Sequence, residues 1–421
     1  MKKMQRGGAG MGLLVGMFAV AAYFEYPGGL LHGWGDGAHY WDAVWGMKWF
    51  CALLLLGSVV GREIWARTHI ALGLFVGYML ASAAWVFAFQ FSYQSPAELE
   101  LYKLRLGAAY TYAAILAIAS VPLYFRRRDV KLTQFALEAL CLVSAAVIVY
   151  QALAGVPAQY RGGLYGNPSM SGCLVAFLYP FAAFRPRKRE SYDWDYDSSD
   201  IPMWAYDAIR ILLPPAAVLL TGTSQPLGVL AVGVLARHVW RRKLSWRWAT
   251  AGIAASAIVI FTIPAITSKH GRSPFDDSGR FEVYRLVMKP WWDHGRRWLG
   301  QGTGTAQWIV PHIQAVDEQS RHKPGEPFQV AEYHWLHSDW LQILFENGIV
   351  GATLALLSLA ATLRAAWRRS AHVFGSTCAY AAAMVFNFPW HLPVHAICGA
   401  LIIACAFGSD DATIALIADR R

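Results

Sequence analysis

Apolar runs close to twenty residues long recur from one end of this chain to the other, and clusters of Lys and Arg occupy every second connection between them. Twelve runs are legible, at roughly 11–27, 41–61, 69–91, 105–125, 131–152, 169–184, 205–222, 226–240, 248–267, 347–363, 372–388 and 393–408. About 20 residues of helix match the hydrocarbon thickness of a bilayer. Lipid offers the backbone no hydrogen-bond partner, so a spanning segment must satisfy its own N–H and C=O groups as a helix. The expected fold class is an all-α polytopic membrane protein with about twelve transmembrane helices. Composition agrees: 56% of the 421 residues are hydrophobic and 15% charged. Mean hydropathy is +0.32, which is foreign to a soluble chain of this length.

The basic clusters set the orientation. Lys2, Lys3 and Arg6 precede the first run, Arg62 and Arg67 follow the second, and Arg126, Arg127 and Arg128 follow the fourth. Arg185 to Arg189 follow the sixth, Arg241, Arg242 and Lys243 the eighth, Arg364, Arg368 and Arg369 the tenth, and Arg420 and Arg421 close the sequence. The positive-inside rule assigns this face, and both termini, to the cytoplasm. The same clustering excludes nucleic acid as the reason for a net charge of +10. Met1-Lys2-Lys3 and the apolar run after it look like a signal peptide, but no small-residue cleavage site precedes Tyr23. That segment reads as an uncleaved first span. Three regions result: helices one to nine over 1–267, a large external loop over 268–346, and helices ten to twelve with a cytoplasmic tail over 347–421. The six cysteines all fall inside apolar runs without metal-ligand or disulfide spacing, so they read as small apolar fillers.

Chemistry concentrates in the long loop and where it returns to the membrane. Lys269, Arg272, Arg280, Arg285, Lys289, Arg296, Arg297, Arg321 and Lys323 are an unusual excess for an external loop. Most should pair with neighbours such as Asp276, Asp277, Glu282 and Asp293, leaving one or two for an anionic ligand. Arginine suits that task because its planar fork fits phosphate oxygens and keeps its charge when partly buried. Six histidines share the loop, but their spacing makes no zinc motif. His337 stands apart because it opens an apolar helix-like stretch and so faces the membrane–water boundary, where a neutral imidazole suits proton abstraction from a hydroxyl. Gly300 to Thr305, GQGTGT, reads as a turn rich in glycine for conformational reasons. The acidic stretch 191–200 beside RPRKRE reads as a solvated cytoplasmic loop.

At His337 the sequence meets a known pattern. HSDWLQILFENGIVG reads as His-Ser, nine residues, then Gly-x-x-Gly, and resembles the signature of the bacterial O-antigen ligase and polymerase superfamily. GRFEVYRLVMKPWWDHGRRWLGQGTGT resembles that superfamily's Gly-Arg segment, Trp-rich helix and Gly-x-Gly-x-Gly turn. RGGLYGNPSMSG resembles its Arg-x-x-Gly…Gly-Asn-Pro-Asn stretch, with Ser169 where Asn is usual, and TGTSQPLG its Thr-x-Ser-Arg-Gly turn, with Gln225 and Pro226 in place of Arg-Gly. The resemblance spans roughly 150–351.

The resemblance implies a GT-C-type membrane glycosyltransferase of the bacterial inner membrane, free of metal and cofactor, with its active site facing the periplasm. Its donor is a glycan on undecaprenyl diphosphate and its acceptor a sugar hydroxyl of lipid A-core. Carried over, the catalytic base falls on His337 and the diphosphate-binding arginines on Arg161 and Arg280. Arg285 joins them from the loop's own chemistry, five residues further on. Such cations stabilise charge growing on the leaving diphosphate, and they hold a nearby imidazole neutral. In-line attack predicts inversion at the anomeric carbon. Trp335, Ser338 and Trp340 are candidate acceptor or sugar contacts. A polymerase or protein O-oligosaccharyltransferase of the same superfamily would share the donor and differ in acceptor. A lipid or ion transporter requires broken helices and charges inside the spans, of which Pro214-Pro215 is the single hint.

Overall fold

A computed structural model of the chain describes residues 127–184, 203–242, 297–306, 338–387 and 393–407, with short pieces within 73–82, 284–288, 309–316 and 389–391 and the single residue Leu336. Among the described residues the ordered structure is helical, with no strand. Seven long helices appear: α1 (Arg127–Leu153), α2 (Pro168–Phe184), α3 (Met203–Leu220), α4 (Ser224–Arg241), α5 (Asp339–Arg369), α6 (Ala371–Phe386) and α7 (Pro393–Phe407). Each coincides with an expected apolar run. The runs at 11–27, 41–61, 105–125 and 248–267 lie outside the described residues, and 69–91 is described only within 73–82. The acidic stretch 191–200 also lies outside them. By length and composition, Thr133–Leu153 and Asp339–Arg369 can cross a membrane, while Pro168–Ala183, Ala371–Val385 and Val394–Phe407 are shorter apolar helices.

α2 forms the centre. Its residues from Cys173 to Ala182 are almost all buried, as expected of a helix that is apolar all round. It packs against α1, α3, α4 and α6. α2 and α6 run antiparallel, because Cys173 meets Asn387, Phe177 meets Tyr380, and Phe181 meets His372. The α2, α4 and α6 backbones cross where side chains are smallest: a Cβ on Gly233 would sit 3.3 Å from both Pro180 and Ala379. Small residues at such a crossing give close backbone approach, which drives helix association in lipid. Cys141, Cys173, Cys378, Cys398 and Cys405 are all buried, as fillers should be, and Cys51 lies outside the described residues.

Two features differ from expectation. Pro214 and Pro215 do not break α3, which runs unbroken through both. Proline 215 cannot donate to the Ile211 carbonyl four residues back, and the Tyr179 hydroxyl donates to it instead at 3.3 Å. Charge is also present inside the bundle. Arg210 on α3 pairs with Glu138 on α1 at 2.8 Å, both side chains under 8% exposed, and the Tyr206 hydroxyl donates to the same carboxylate at 3.2 Å. Paired and hydrogen-bonded in this way, two buried charges lock α1 to α3.

Candidate functional site

The signature helix is built to be broken once. α5 starts at Asp339, not near 347, because Ser338 caps it: the Ser338 hydroxyl accepts from Leu341 N–H at 3.4 Å. The nine residues between His-Ser and Gly-x-x-Gly are therefore helix. At Gly348 the backbone turns to φ 64°, ψ −168°, and the helix bends before continuing to Arg369. The expected end of the loop at 346 thus marks a bend, not a helix start. Breaking a helix strands the carbonyls before the break and the N–H groups after it. The glycine-rich turn satisfies both sets. Gln301 and Gly302 donate to the Phe345 and Glu346 carbonyls at 3.0 and 2.7 Å, while Ile349 and Val350 donate to Arg297 and Trp298 at 2.8 and 3.1 Å.

Such close approach requires glycine on both sides. A Cβ on Gly348 would lie 2.3 Å from the Trp298 carbonyl, and one on Gly300 would lie 2.3 Å from that of Glu346. Gly300, Gly302 and Gly304 all have positive φ, which L side chains rarely adopt. Side chains complete the joint. Thr303 donates to the Asn347 side chain, and the Tyr78 hydroxyl to the Asn347 carbonyl at 3.0 Å. Glu346 accepts from Ala306 N–H at 3.1 Å, at the start of the helical residues after the turn, and from Gln342 Nε2 at 3.0 Å. The conformational reading of GQGTGT holds, and its partner is the signature itself.

Around the start of α5, four segments gather at one end of the bundle. Asp339 N–H donates to the Asn387 carbonyl at 3.2 Å, the Asp339 carboxylate accepts from Trp390 N–H at 2.9 Å, and the Ser338 hydroxyl donates to Met384 at 3.4 Å. The 389–391 turn leads into α7, where His395 Nε2 bonds the Met170 carbonyl at 2.9 Å and its ring packs on Tyr165. Tyr165 and Met170 belong to the stretch that carries Arg161. The Arg161 guanidinium donates through Nε to Val156 at 2.7 Å and through Nη1 to Leu220 at 3.0 Å. It therefore ties the 154–167 connection to the carboxyl end of α3. Ser169 and Gln225, two of the departures from the resembled patterns, touch: the Ser169 hydroxyl donates to Gln225 Oε1 at 2.6 Å.

Of the residues expected to act, Arg161, Ser338 and Trp340 are described, and His337, Arg280, Arg285 and Trp335 lie outside the described residues. Ser338 is 2% exposed and holds the helix cap. Trp340 donates its indole N–H to Ala381 at 3.2 Å, and it lines an apolar cleft between α5, α6 and α7. Ile343, Leu359, Tyr380, Trp390 and Ile402 line the same cleft. Among the described residues no group of three His, Cys, Asp or Glu is placed to hold a metal. Sequence reasoning missed Asp339, Gln342 and Glu346, all buried at 3% exposure or less. Polar residues three and seven apart in an apolar helix lie on one face, and that spacing was the available signal.

Residues 209–356 match the model of the family described as O-antigen ligase, Wzy_C. The match takes in the Thr221–Gln225 turn, the glycine-rich turn, the His-Ser signature and the Gly348 bend. Over that region the chain is similar to the O-antigen ligase/polymerase superfamily. The Arg161 stretch precedes the matched region. A search of curated proteins returns no match. O-antigen ligase family proteins are membrane-associated, in keeping with the apolar helices described above.

Proposed function

We propose that this protein is a glycosyltransferase of the bacterial inner membrane that transfers a glycan from undecaprenyl diphosphate to a sugar hydroxyl of lipid A-core. In this reading twelve helices span the membrane, both termini are cytoplasmic, and the reaction takes place at the periplasmic face. The observation that carries it is the gathering of the family-matched start of α5 and 220–225 turn with the Arg161 stretch and the 387–395 turn at one bundle end, above an apolar cleft. The cleft is lined on α5 by Trp340 and Ile343 before the Gly348 bend and by Ala355, Ser358, Leu359 and Thr362 after it. An apolar lining of this kind suits a polyprenyl tail, with the diphosphate at the signature end.

His337, immediately before the capped start of α5, removes the proton from the acceptor hydroxyl as the hydroxyl attacks C1 of the donor sugar. Proton removal of this kind contributes roughly 10²–10⁴-fold. Arg280, Arg285 and the donors of Arg161 not already engaged stabilise charge on the departing diphosphate, and fixed cations can do so without a metal ion. Attack from the face opposite the leaving group inverts the anomeric carbon. The test is purified protein with lipid-linked glycan and lipid A-core in EDTA. The expected product is lipid A-core carrying the glycan with inverted linkage. Glycan lengthening on the lipid carrier instead would mark a polymerase, and strict dependence on a divalent cation would remove the metal-free mechanism.

A further inference from the structure

We propose that Asp339 is a positioning residue: by holding the 389–391 turn against the first turn of α5, it fixes the point from which His337 projects. The inference rests on the reading of His337 as the base. Asp339 is fully buried, two residues from His337. It clasps the neighbouring segment twice, its N–H donating to Asn387 and its carboxylate accepting from Trp390 N–H at 2.9 Å. Ser338 adds a third tie through Met384. The residues that follow the base are thus bound to the end of α6 and the turn beyond it, on a path set by backbone hydrogen bonds and not by loop sequence.

The same contact reaches the cleft. Trp390 both donates to the clasp and lines the cleft beside Trp340, so one carboxylate ties the cleft's lining to the helix start that follows the base in sequence. Aspartate suits the position. A carboxylate at a helix N-terminus is favoured by the helix dipole, and its short side chain reaches a backbone N–H that a longer one would overshoot. An asparagine keeps an oxygen at the same reach, whereas a serine does not. The role therefore predicts which substitutions the reaction tolerates.

The experiment compares Asp339→Asn and Asp339→Ser in the full-length protein, with the wild type and His337→Ala as controls. Initial rates are measured over a range of donor concentrations, and deuterium exchange is followed at the Trp390 amide. A misplacement of about 1 Å at a reacting group costs on the order of 10²-fold in rate. Asp339→Ser should lose about that much in kcat, with KM for the donor nearly unchanged and faster exchange at Trp390. Asp339→Asn should keep kcat within about threefold of wild type, the rescue that distinguishes a held position from chemistry by the carboxylate. Equal loss in both variants, or full kcat in Asp339→Ser, overturns the proposal. Should Asp339→Ser fail to fold, Asp339→Asn decides alone, since its kcat is either kept or lost. Activity indifferent to His337→Ala sinks the functional reading, and the proposal with it, whatever the Asp339 variants do.

Discussion

Arg161 shows how one side chain can carry two burdens. Its Nε and Nη1 hold carbonyls from two different segments, so its removal unties the 154–167 connection from the end of α3 as well as subtracting a cation. Replacement by alanine should lower kcat/KM and also stability, by about 1–2 kcal/mol for two part-buried hydrogen bonds. Thermal unfolding of the purified variant beside its transfer rate measures both. An unchanged unfolding temperature would show that the two carbonyl bonds contribute nothing. The expectations for His337, Arg280 and Arg285 rest on residue type and spacing, and all three lie outside the described residues; features that show in such local pattern were legible. Asp339 and Glu346 were not, because their work is to accept backbone N–H groups from segments 51 and 40 residues away. Pairing at that range leaves no trace in local pattern.

The glycine-rich turn and the α5 bend act as one element. Sequence inspection treated Gly300–Thr305 as a turn and Gly348 as part of a motif, and each reading was correct in isolation. Four backbone hydrogen bonds join them, and nothing in composition announces that a turn in one segment will satisfy a break in another. Gly348→Ala should be severe, because a Cβ there meets the Trp298 carbonyl in a left-handed backbone conformation. Forced strain and a lost joint together should cost at least about 2–3 kcal/mol, read as a lowered unfolding temperature and loss of transfer. A variant as stable and active as wild type would mean that the bend can move without consequence. Element ends were least legible for the same reason. Hydropathy finds the apolar core of α5, but the cap at Ser338 and the bend at Gly348 decide where the helix begins and where it turns.

For the whole molecule, periodic apolar runs and basic loops were enough to anticipate an all-helical bundle, and the seven long helices described fall on seven of those runs. What hydropathy could not give is which helix is central. α2 holds that place because small residues let α4 and α6 approach it closely, a fact about neighbours and not about α2 alone. Nor could it reveal that the Arg161 stretch, the 220–225 turn, the 387–395 turn and the start of α5 meet at one end. That meeting gives the functional reading its physical content. It is tested most directly by the transfer of glycan from undecaprenyl diphosphate to lipid A-core by wild type and by His337→Ala protein of equal stability. The account predicts robust transfer by the first and a loss of at least about 10²-fold in the second. Equal transfer by both proteins, or none by either, would contradict it.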